Sequence, residues 1–226
     1  MVQWRDKVGS PQAVLAGAAV LREVFEREAP HDSDGGAVAI TGHPVRLILN
    51  DRLDLAVLAG FGGVHVGQGD LSPADARAVA RGLPVDAFVG GMNWNPTQAI
   101  RPHERGIQVA SSSERSEAGS NFWVGVSTHT EEQVRAADLS TADYVAVGPV
   151  FATGTKLDAD PVIGLEGVRR ARALTTKPIV AIGGITRENA RSVVDAGADS
   201  VAVISGLLVP GETVAKVVGD FLRILG

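Results

Sequence analysis

Carboxylate and amide side chains follow two short apolar runs of the sequence. The run RLILN ends at Asn50 and is followed by Asp51, and the run GVHV is followed by GQGD, which ends at Asp70. Two carboxylates with only oxygen and amide neighbours suit a hard cation that keeps several waters and shares a substrate phosphate, as Mg²⁺ does. Each carboxylate also has a structural interpretation, as the cap of a helix beginning near Arg52 or as a turn partner of Ser72. Taken singly, the structural interpretation is the better one for each.

A second polar group lies at the N-terminus, where Gln3, Arg5 and Lys7 alternate. In an extended chain these side chains point the same way and offer one amide and two cations to an anion. The alternative is a frayed, solvated terminus, which the segment alone would favour.

The segment GPVFATGTKLDADP follows another apolar run and has no apolar face to bury. Its hydroxyls at Thr153 and Thr155 suit phosphate, and Lys156 suits a diphosphate. The later runs AIGGIT and VAVISG bring a glycine pair and Ser205 to strand ends, where backbone N–H groups can approach a phosphate closely. This pattern predicts a phosphate ligand and names no reaction.

His65 and Ser127 are candidates of a weaker kind. His65 lies inside an apolar run, where a hydrogen-bonded core histidine is more common than a ligand. Ser127 follows the run WVGV and could hydrogen-bond a ligand, while Thr128 or Thr130 could cap the helix that begins at Glu131.

Alternating strands and helices must position all these groups. The strand candidates are nearly continuous apolar runs, which is typical of strands buried on both faces. They cover 45–49, 63–66, 123–126, 144–147, 179–182 and 201–204, and the helix candidates cover 11–27, 52–59, 73–81, 131–138, 165–174, 187–196 and 212–225. In a parallel α/β barrel the catalytic groups lie at the carboxyl ends of the strands, where the polar residues above are found.

Composition narrows the class of protein. A chain of 226 residues with 45% hydrophobic residues suits one domain with a sizeable core. A net charge of −5 without a basic block argues against nucleic acid or an acidic membrane as partner and favours a small molecule. No apolar run approaches the roughly 20 residues that span a bilayer. We therefore expect a soluble, cytoplasmic protein, with an organelle as the open alternative, since the absence of cysteine does not separate these compartments.

Two stretches interrupt the βα rhythm. Residues 31–43 are rich in Asp, Gly and His, and residues 84–121 contain a polar run around Ser111 beside Met92 and Trp94. Both are interpreted as insertions, and partial order is expected in the longer one because long structureless loops are unusual inside a compact domain.

Seven segments together carry a family resemblance. In order, QWRDK, LILNDR, GVHVGQGD, GVSTHT, DYVAVGPVFATGTK, PIVAIGGIT and GADSVAVIS are similar to the signature segments of the thiamine phosphate synthase family. The resemblance implies a single TIM (β/α)₈ barrel domain over residues 1–226, lacking the first βα unit. It also implies a Mg²⁺-dependent transferase that condenses hydroxymethylpyrimidine diphosphate with a thiazole phosphate or its carboxylate, giving thiamine monophosphate and diphosphate.

The resemblance also assigns residues to roles. It puts Arg5, Lys7, Asn50 and Lys156 on the diphosphate, with Asp51 and Asp70 on Mg²⁺, and it makes Arg5, Lys7, Ser127 and Lys156 the catalytic residues. Gln3 and Ser127 fall on the pyrimidine, with His65 lining that pocket. The thiazole phosphate falls to Thr153, Thr155, Gly184, Ile204 and Ser205.

Two other functions stay open at this point. A thiazole tautomerase resembles the synthase in sequence, but it needs an acid-base residue and has no use for a diphosphate clamp. A non-catalytic thiamine-phosphate-binding module is the other alternative. The sequence does not fix the oligomeric state, so a homo-oligomer is also left open.

Overall fold

The computed structural model describes residues 1–28, 45–81, 122–154 and 160–226. The strands within these ranges are β1 Val2–Trp4, β2 Leu47–Asn50, β3 Gly63–Val66, β4 Trp123–Thr128, β5 Tyr144–Val147, β6 Ile179–Ile182 and β7 Ser200–Ala202. The helices are α1 Pro11–Glu28, α2 Leu53–Leu58, α3 Pro73–Ala80, α4 Glu131–Leu139, α5 Gly164–Leu174, α6 Ala190–Asp195 and α7 Val214–Leu225, with a 3₁₀ turn at Ser205–Leu207. The predicted βα repeat is confirmed.

The strands follow one another in chain order through one sheet. β1 pairs with β2 in parallel, placing Gln3 opposite Ile48. β4, β5, β6 and β7 also pair in parallel. Because parallel neighbours end at the same edge of a sheet, the residues that follow such paired strands meet there.

The described residues divide into two compact units. The first comprises Met1–Val64 with Ala74–Trp123, and the second comprises His65–Pro73 with Val124–Gly226. Each unit has its own set of buried apolar residues. Burial of apolar surface is what stabilises each unit. The first unit buries Val14, Ala18, Ile48, Leu49 and Leu53, and the second buries Val124, Val145, Val168, Ile179, Val193 and Val217.

Side-chain caps fix several helix starts. Ser10 Oγ accepts from the N–H of Ala13 at 3.2 Å at the start of α1. Thr130 and Gln133 form a reciprocal capping box at α4, so Thr130 and not Thr128 is the cap. At α2 the N-cap position belongs to Arg52, whose side chain makes no capping hydrogen bond, and the interpretation of Asp51 as the N-cap is therefore wrong.

Several predicted boundaries are also wrong, and those of α6 and β7 have a local cause. Helix α6 begins at Ala190, three residues after the predicted start at Arg187. The cause is Asn189, whose Oδ1 accepts from the N–H of Thr186 at 2.8 Å and holds a turn ahead of the helix. Strand β7 ends at Ala202, because the chain then turns towards the 3₁₀ element.

The two predicted insertions and the predicted single domain are not tested by this fold. Residues 31–43 and 84–121 lie outside the described ranges, so their interpretation as insertions stays a prediction, as does the single domain over 1–226. No helix in the described part of the chain has the length and apolar character needed to cross a bilayer.

Candidate active site

The alternation at the N-terminus is present, with Gln3, Arg5 and Lys7 all exposed. Strand β1 ends at Trp4, and its pairing with β2 brings Gln3 beside the end of the next strand. Gln3 Nε2 donates to Asn50 Oδ1 at 2.7 Å. Two residues 47 positions apart in the chain thus share a polar cluster at the carboxyl ends of two paired strands.

Lys7 and Asp51 extend this cluster. Lys7 Nζ lies 3.2 Å from Asp51 Oδ2, with the lysine side chain 55% exposed and the aspartate 24% exposed. Asp51 has a φ of 62°, a left-handed conformation that few residues other than Gly, Asn and Asp adopt. Together with Asn50 and Arg52 the pair lines a cavity of about 150 Å³. A cation and a carboxylate therefore face one polar cavity.

In the second unit, His65 is buried between two hydroxyl groups. Its Nδ1 lies 3.0 Å from Tyr144 Oη, and its Nε2 lies 2.8 Å from Ser127 Oγ. Burial lowers the pKa of His65 from 6.5 to about 4, and the charge of Asp70 opposes this only partly. Burial also raises the pKa of Tyr144. His65 is therefore neutral at physiological pH, with both ring nitrogens partnered.

The loop after β3 carries Asp70 and turns back on itself. Asp70 Oδ2 accepts from the N–H of Gly67 at 2.7 Å, so Asp70 makes a turn with Gly67. Gln68 Nε2 donates to the carbonyl of Ser127 at 2.6 Å and ties this loop to the end of β4. Asp70 itself is exposed.

The loops after β5, β6 and β7 carry the predicted phosphate residues. Thr153 is half-buried, and Ile204 and Ser205 are exposed where the 3₁₀ turn begins. Gly184 has a φ of 62°, and a side chain there would strike the backbone of Ala152. Only glycine suits this position. Thr155 and Lys156 lie outside the described residues.

His129 connects to both sides of the loop that follows β5. Its Nδ1 lies 2.7 Å from the carbonyl of Gly148, which can only accept, so Nδ1 carries the proton. Its Nε2 lies 3.4 Å from Asp160 Oδ2.

Sequence reasoning missed Tyr144, which it placed only at the start of a strand. The available signal was Gly125 in the neighbouring strand, because a side chain there would overlap the Tyr144 ring.

The described residues contain no group of three histidine, cysteine or acidic side chains placed to hold a metal ion. Asp51 and Asp70 belong to different units.

Comparison with known proteins gives the family. A sequence model described as thiamine monophosphate synthase matches residues 1–109 and 105–207. The thiamine-phosphate synthase of Koribacter versatilis is 43% identical over 225 residues, covering 100% of this chain and 80% of that protein. The thiamine-phosphate synthase of Methanoregula boonei is 35% identical over 214 residues, covering 95% of this chain and 74% of that protein.

A solved structure agrees with both sequence matches. A thiamine phosphate pyrophosphorylase from Pyrococcus furiosus matches with a TM-score of 0.66 at 26% identity, covering 99% of this chain and 81% of that one. This likeness confirms the predicted TIM-like α/β fold, with seven strands in the described ranges. The chain belongs to the thiamine-phosphate synthase family.

Proposed function

We propose that this chain condenses hydroxymethylpyrimidine diphosphate with a thiazole phosphate, or its carboxylate, to form thiamine monophosphate and diphosphate. Its family membership makes it a transferase of thiamine biosynthesis. The observation that carries the residue-level proposal is the polar cavity after β1 and β2, which Lys7, Asn50 and Asp51 line and beside which Gln3 donates to Asn50.

The diphosphate is assigned to the cationic side of this cluster. Arg5 and Lys7 are both exposed, and Lys7 lines the same cavity as Asn50. We add Lys156 on the strength of the sequence match alone. Cations placed where negative charge grows lower the barrier to departure of a leaving group.

Asp51 and Asp70 are proposed to hold Mg²⁺. Asp51 fits, because its carboxylate lines a polar cavity together with the amide of Asn50 and the carboxylate of Asp6. Asp70 fits, because it is exposed and its described hydrogen bond involves one of its two oxygens. When bound, the ion would supply positive charge to the departing diphosphate.

The two rings are assigned to other groups. Gln3 and Ser127 would bind the pyrimidine, with His65 lining that pocket beside the Ser127 hydroxyl. Thr153, Thr155, Ser205 and the backbone at Gly184 and Ile204 would bind the thiazole phosphate. Left-handed backbone at Gly184 supports this, because such loops present N–H groups to anions.

The proposed reaction needs few other groups from the protein. The bond between the pyrimidine methylene carbon and the diphosphate oxygen breaks, and its electron pair leaves with the diphosphate. The thiazole ring nitrogen then forms the new C–N bond. That nitrogen carries no proton, so no general base is needed, and holding the reactants together while excluding water supplies the rest. A neutral, fully partnered His65 is compatible with this scheme.

The remaining parts of the proposal concern domain organisation, partners and compartment. We propose one domain over 1–226 with insertions at 31–43 and 84–121. The net charge of −5 supports small-molecule substrates over nucleic acid or membrane partners. We place the protein in the cytoplasm, and the proposal is compatible with a homo-oligomer.

Lys156→Ala tests the function most sharply, because the synthase and its two alternatives differ on this cation. We expect the rate of coupling to fall by about 10², the scale of losing one preorganised electrostatic contact, with a smaller effect on binding of the thiazole phosphate. The measurement is single-turnover formation of thiamine monophosphate. Arg191→Ala is the matched control, because Arg191 is an exposed cation on α6 that pairs with Asp195.

The outcomes separate the three functions. A tautomerase would interconvert thiazole carboxylate phosphates and depend little on Lys156. A binding module would bind thiamine monophosphate without turnover. Coupling at the wild-type rate in Lys156→Ala would remove the diphosphate role of this residue.

A further inference from the structure

Arg187 lies just after the glycine pair that follows β6, and it makes a forked contact with Glu212. Its Nη1 donates to Glu212 Oε2 at 2.9 Å, and its Nη2 donates to Glu212 Oε1 at 2.6 Å. Nη1 also donates to Asp220 Oδ2 at 2.6 Å. A planar guanidinium with two parallel hydrogen bonds to one carboxylate fixes direction as well as distance.

This contact is partly shielded from water and supported on both sides. The side chains of Arg187 and Glu212 are each 22% exposed, and that of Asp220 is 14% exposed. Lys216 contacts both carboxylates from α7, and Arg223 contacts Asp220. Hydrogen bonds from Arg187 lower the pKa of Glu212 to about 2, so the pair stays charged at any working pH.

The two ends of the contact belong to the two loops assigned to the thiazole phosphate. Arg187 is three residues after Gly184. Glu212 lies near the end of the segment between Ser205 and the start of helix α7. The same loops also touch through their backbones, because a side chain on Gly206 would lie 2.6 Å from the carbonyl of Ile185. Asn189 braces the first loop by donating to the carbonyl of Gly184 at 3.1 Å.

We propose that Arg187 is a positioning residue, which sets the spacing between the loop after β6 and the loop after β7 so that their backbone N–H groups converge on one phosphate. This inference rests on the proposed function for the choice of ligand. Arg187 itself does not touch the phosphate. It acts through the backbone at Gly184, Ile204 and Ser205, where a small displacement weakens every hydrogen bond to the ligand together.

Steady-state kinetics of Arg187→Gln and Glu212→Gln test the proposal. We expect each variant to raise KM for the thiazole phosphate about tenfold, with KM for the pyrimidine diphosphate unchanged and a smaller effect on kcat. The double variant should be close to the worse single variant, since each single change already removes the contact that Arg187 and Glu212 share. Arg187→Lys should recover part of the loss, because it keeps the charge without the fork.

Arg191→Gln is the control, because it removes a guanidinium from an exposed pair on the adjacent helix. A purely structural role for Arg187 predicts a different pattern. Thermal stability and kcat would fall because fewer molecules are folded, while both KM values stayed at wild type. That pattern would overturn the proposal, and Glu212→Gln provides the same reading if Arg187→Gln does not fold.

Calorimetry separates this proposal from the function on which it rests. If the wild-type protein forms no thiamine monophosphate, the proposed function fails and inorganic phosphate becomes the probe. Weaker phosphate binding to Arg187→Gln than to wild type would still support the positioning role. Equal binding to both proteins, or binding to neither, would overturn it.

Discussion

The Tyr144 hydroxyl lies 3.0 Å from Nδ1 of His65, and the two rings stack with their centroids 5.6 Å apart. Gly125 of strand β4 makes this arrangement possible, because a side chain at that position would overlap the Tyr144 ring. The buried pair and the glycine beside it form one packing unit next to Ser127.

Gly125→Ala should therefore be strongly destabilising. The added methyl group must displace the Tyr144 ring, and overpacking of this kind costs about 1–3 kcal/mol or more. Gly219→Ala is the matched control, because the position lies within helix α7 and an added methyl group meets nothing within 4 Å. That variant should gain up to about 1 kcal/mol from helix propensity. Urea unfolding measures both, and equal stabilities would contradict the packing argument.

The stability of the protein should fall as His65 is driven towards protonation. Its pKa is lowered from 6.5 to about 4 in the folded state, so the unfolded chain binds the proton first. The contribution of neutral His65 to the free energy of unfolding is present above pH 6.5 and is lost as the pH falls towards 4. The loss between pH 7 and pH 5 is about 2 kcal/mol. Urea unfolding at both pH values measures the loss.

Proton NMR of the wild-type protein checks the cause. The His65 C2 resonance should stay constant from pH 8 to pH 5. A His65 titration with its midpoint near 6.5 would refute the pKa argument, whatever the unfolding data showed.

Asp51→Asn and Asp70→Asn should both cut turnover by about tenfold or more, with partial recovery at high Mg²⁺. Asp51→Asn should keep the fold, because asparagine also tolerates the left-handed backbone at this position. Asp54→Asn is the control, since Asp54 is an exposed partner of Arg52 on helix α2. Activity titrated against Mg²⁺ measures the effect. Wild-type turnover of both variants in a chelator would return the two aspartates to structural roles.

Replacing residues 84–121 with a short Gly/Ser linker should leave the fold intact. Long surface insertions cost little loop-closure entropy, so their removal changes stability only slightly. The linker should stop before Phe122, which is buried at the start of strand β4. Circular dichroism and the midpoint of thermal unfolding are the measurements. Loss of soluble protein would show instead that Trp94 and its neighbours belong to the core.

The accuracy of the sequence-based prediction varied with the range of the interactions involved. Strands β3, β5 and β6 have the predicted bounds, because a strand buried on both faces is a continuous apolar run in the sequence. Strand β1 was not predicted as a strand, since three residues are too few to show a period. The late start of α6 depends on one side chain, Asn189, which no hydrophobic pattern reports.

The candidate site was less accessible to pattern reasoning. The contact between Gln3 and Asn50 spans 47 residues, and that between His65 and Tyr144 spans 79. Periodicity describes neighbours within one element, so pairs of this kind become visible only once strand order is known. The residue roles came from the family resemblance, and the roles of Thr155 and Lys156 still rest on it alone.

If Asp51 binds Mg²⁺ as proposed, its left-handed backbone places one position under two selective pressures, one from the turn and one from the metal. Geometry alone restricts it to Gly, Asn or Asp, whichever chemistry the protein performs. A lineage that abandoned metal chemistry would lose its reason to keep a carboxylate there, but it would keep its reason to avoid branched or bulky residues. Asn or Gly should then accumulate at this position. Among related sequences, a small residue here reports the turn, and only a persistent carboxylate reports the reaction.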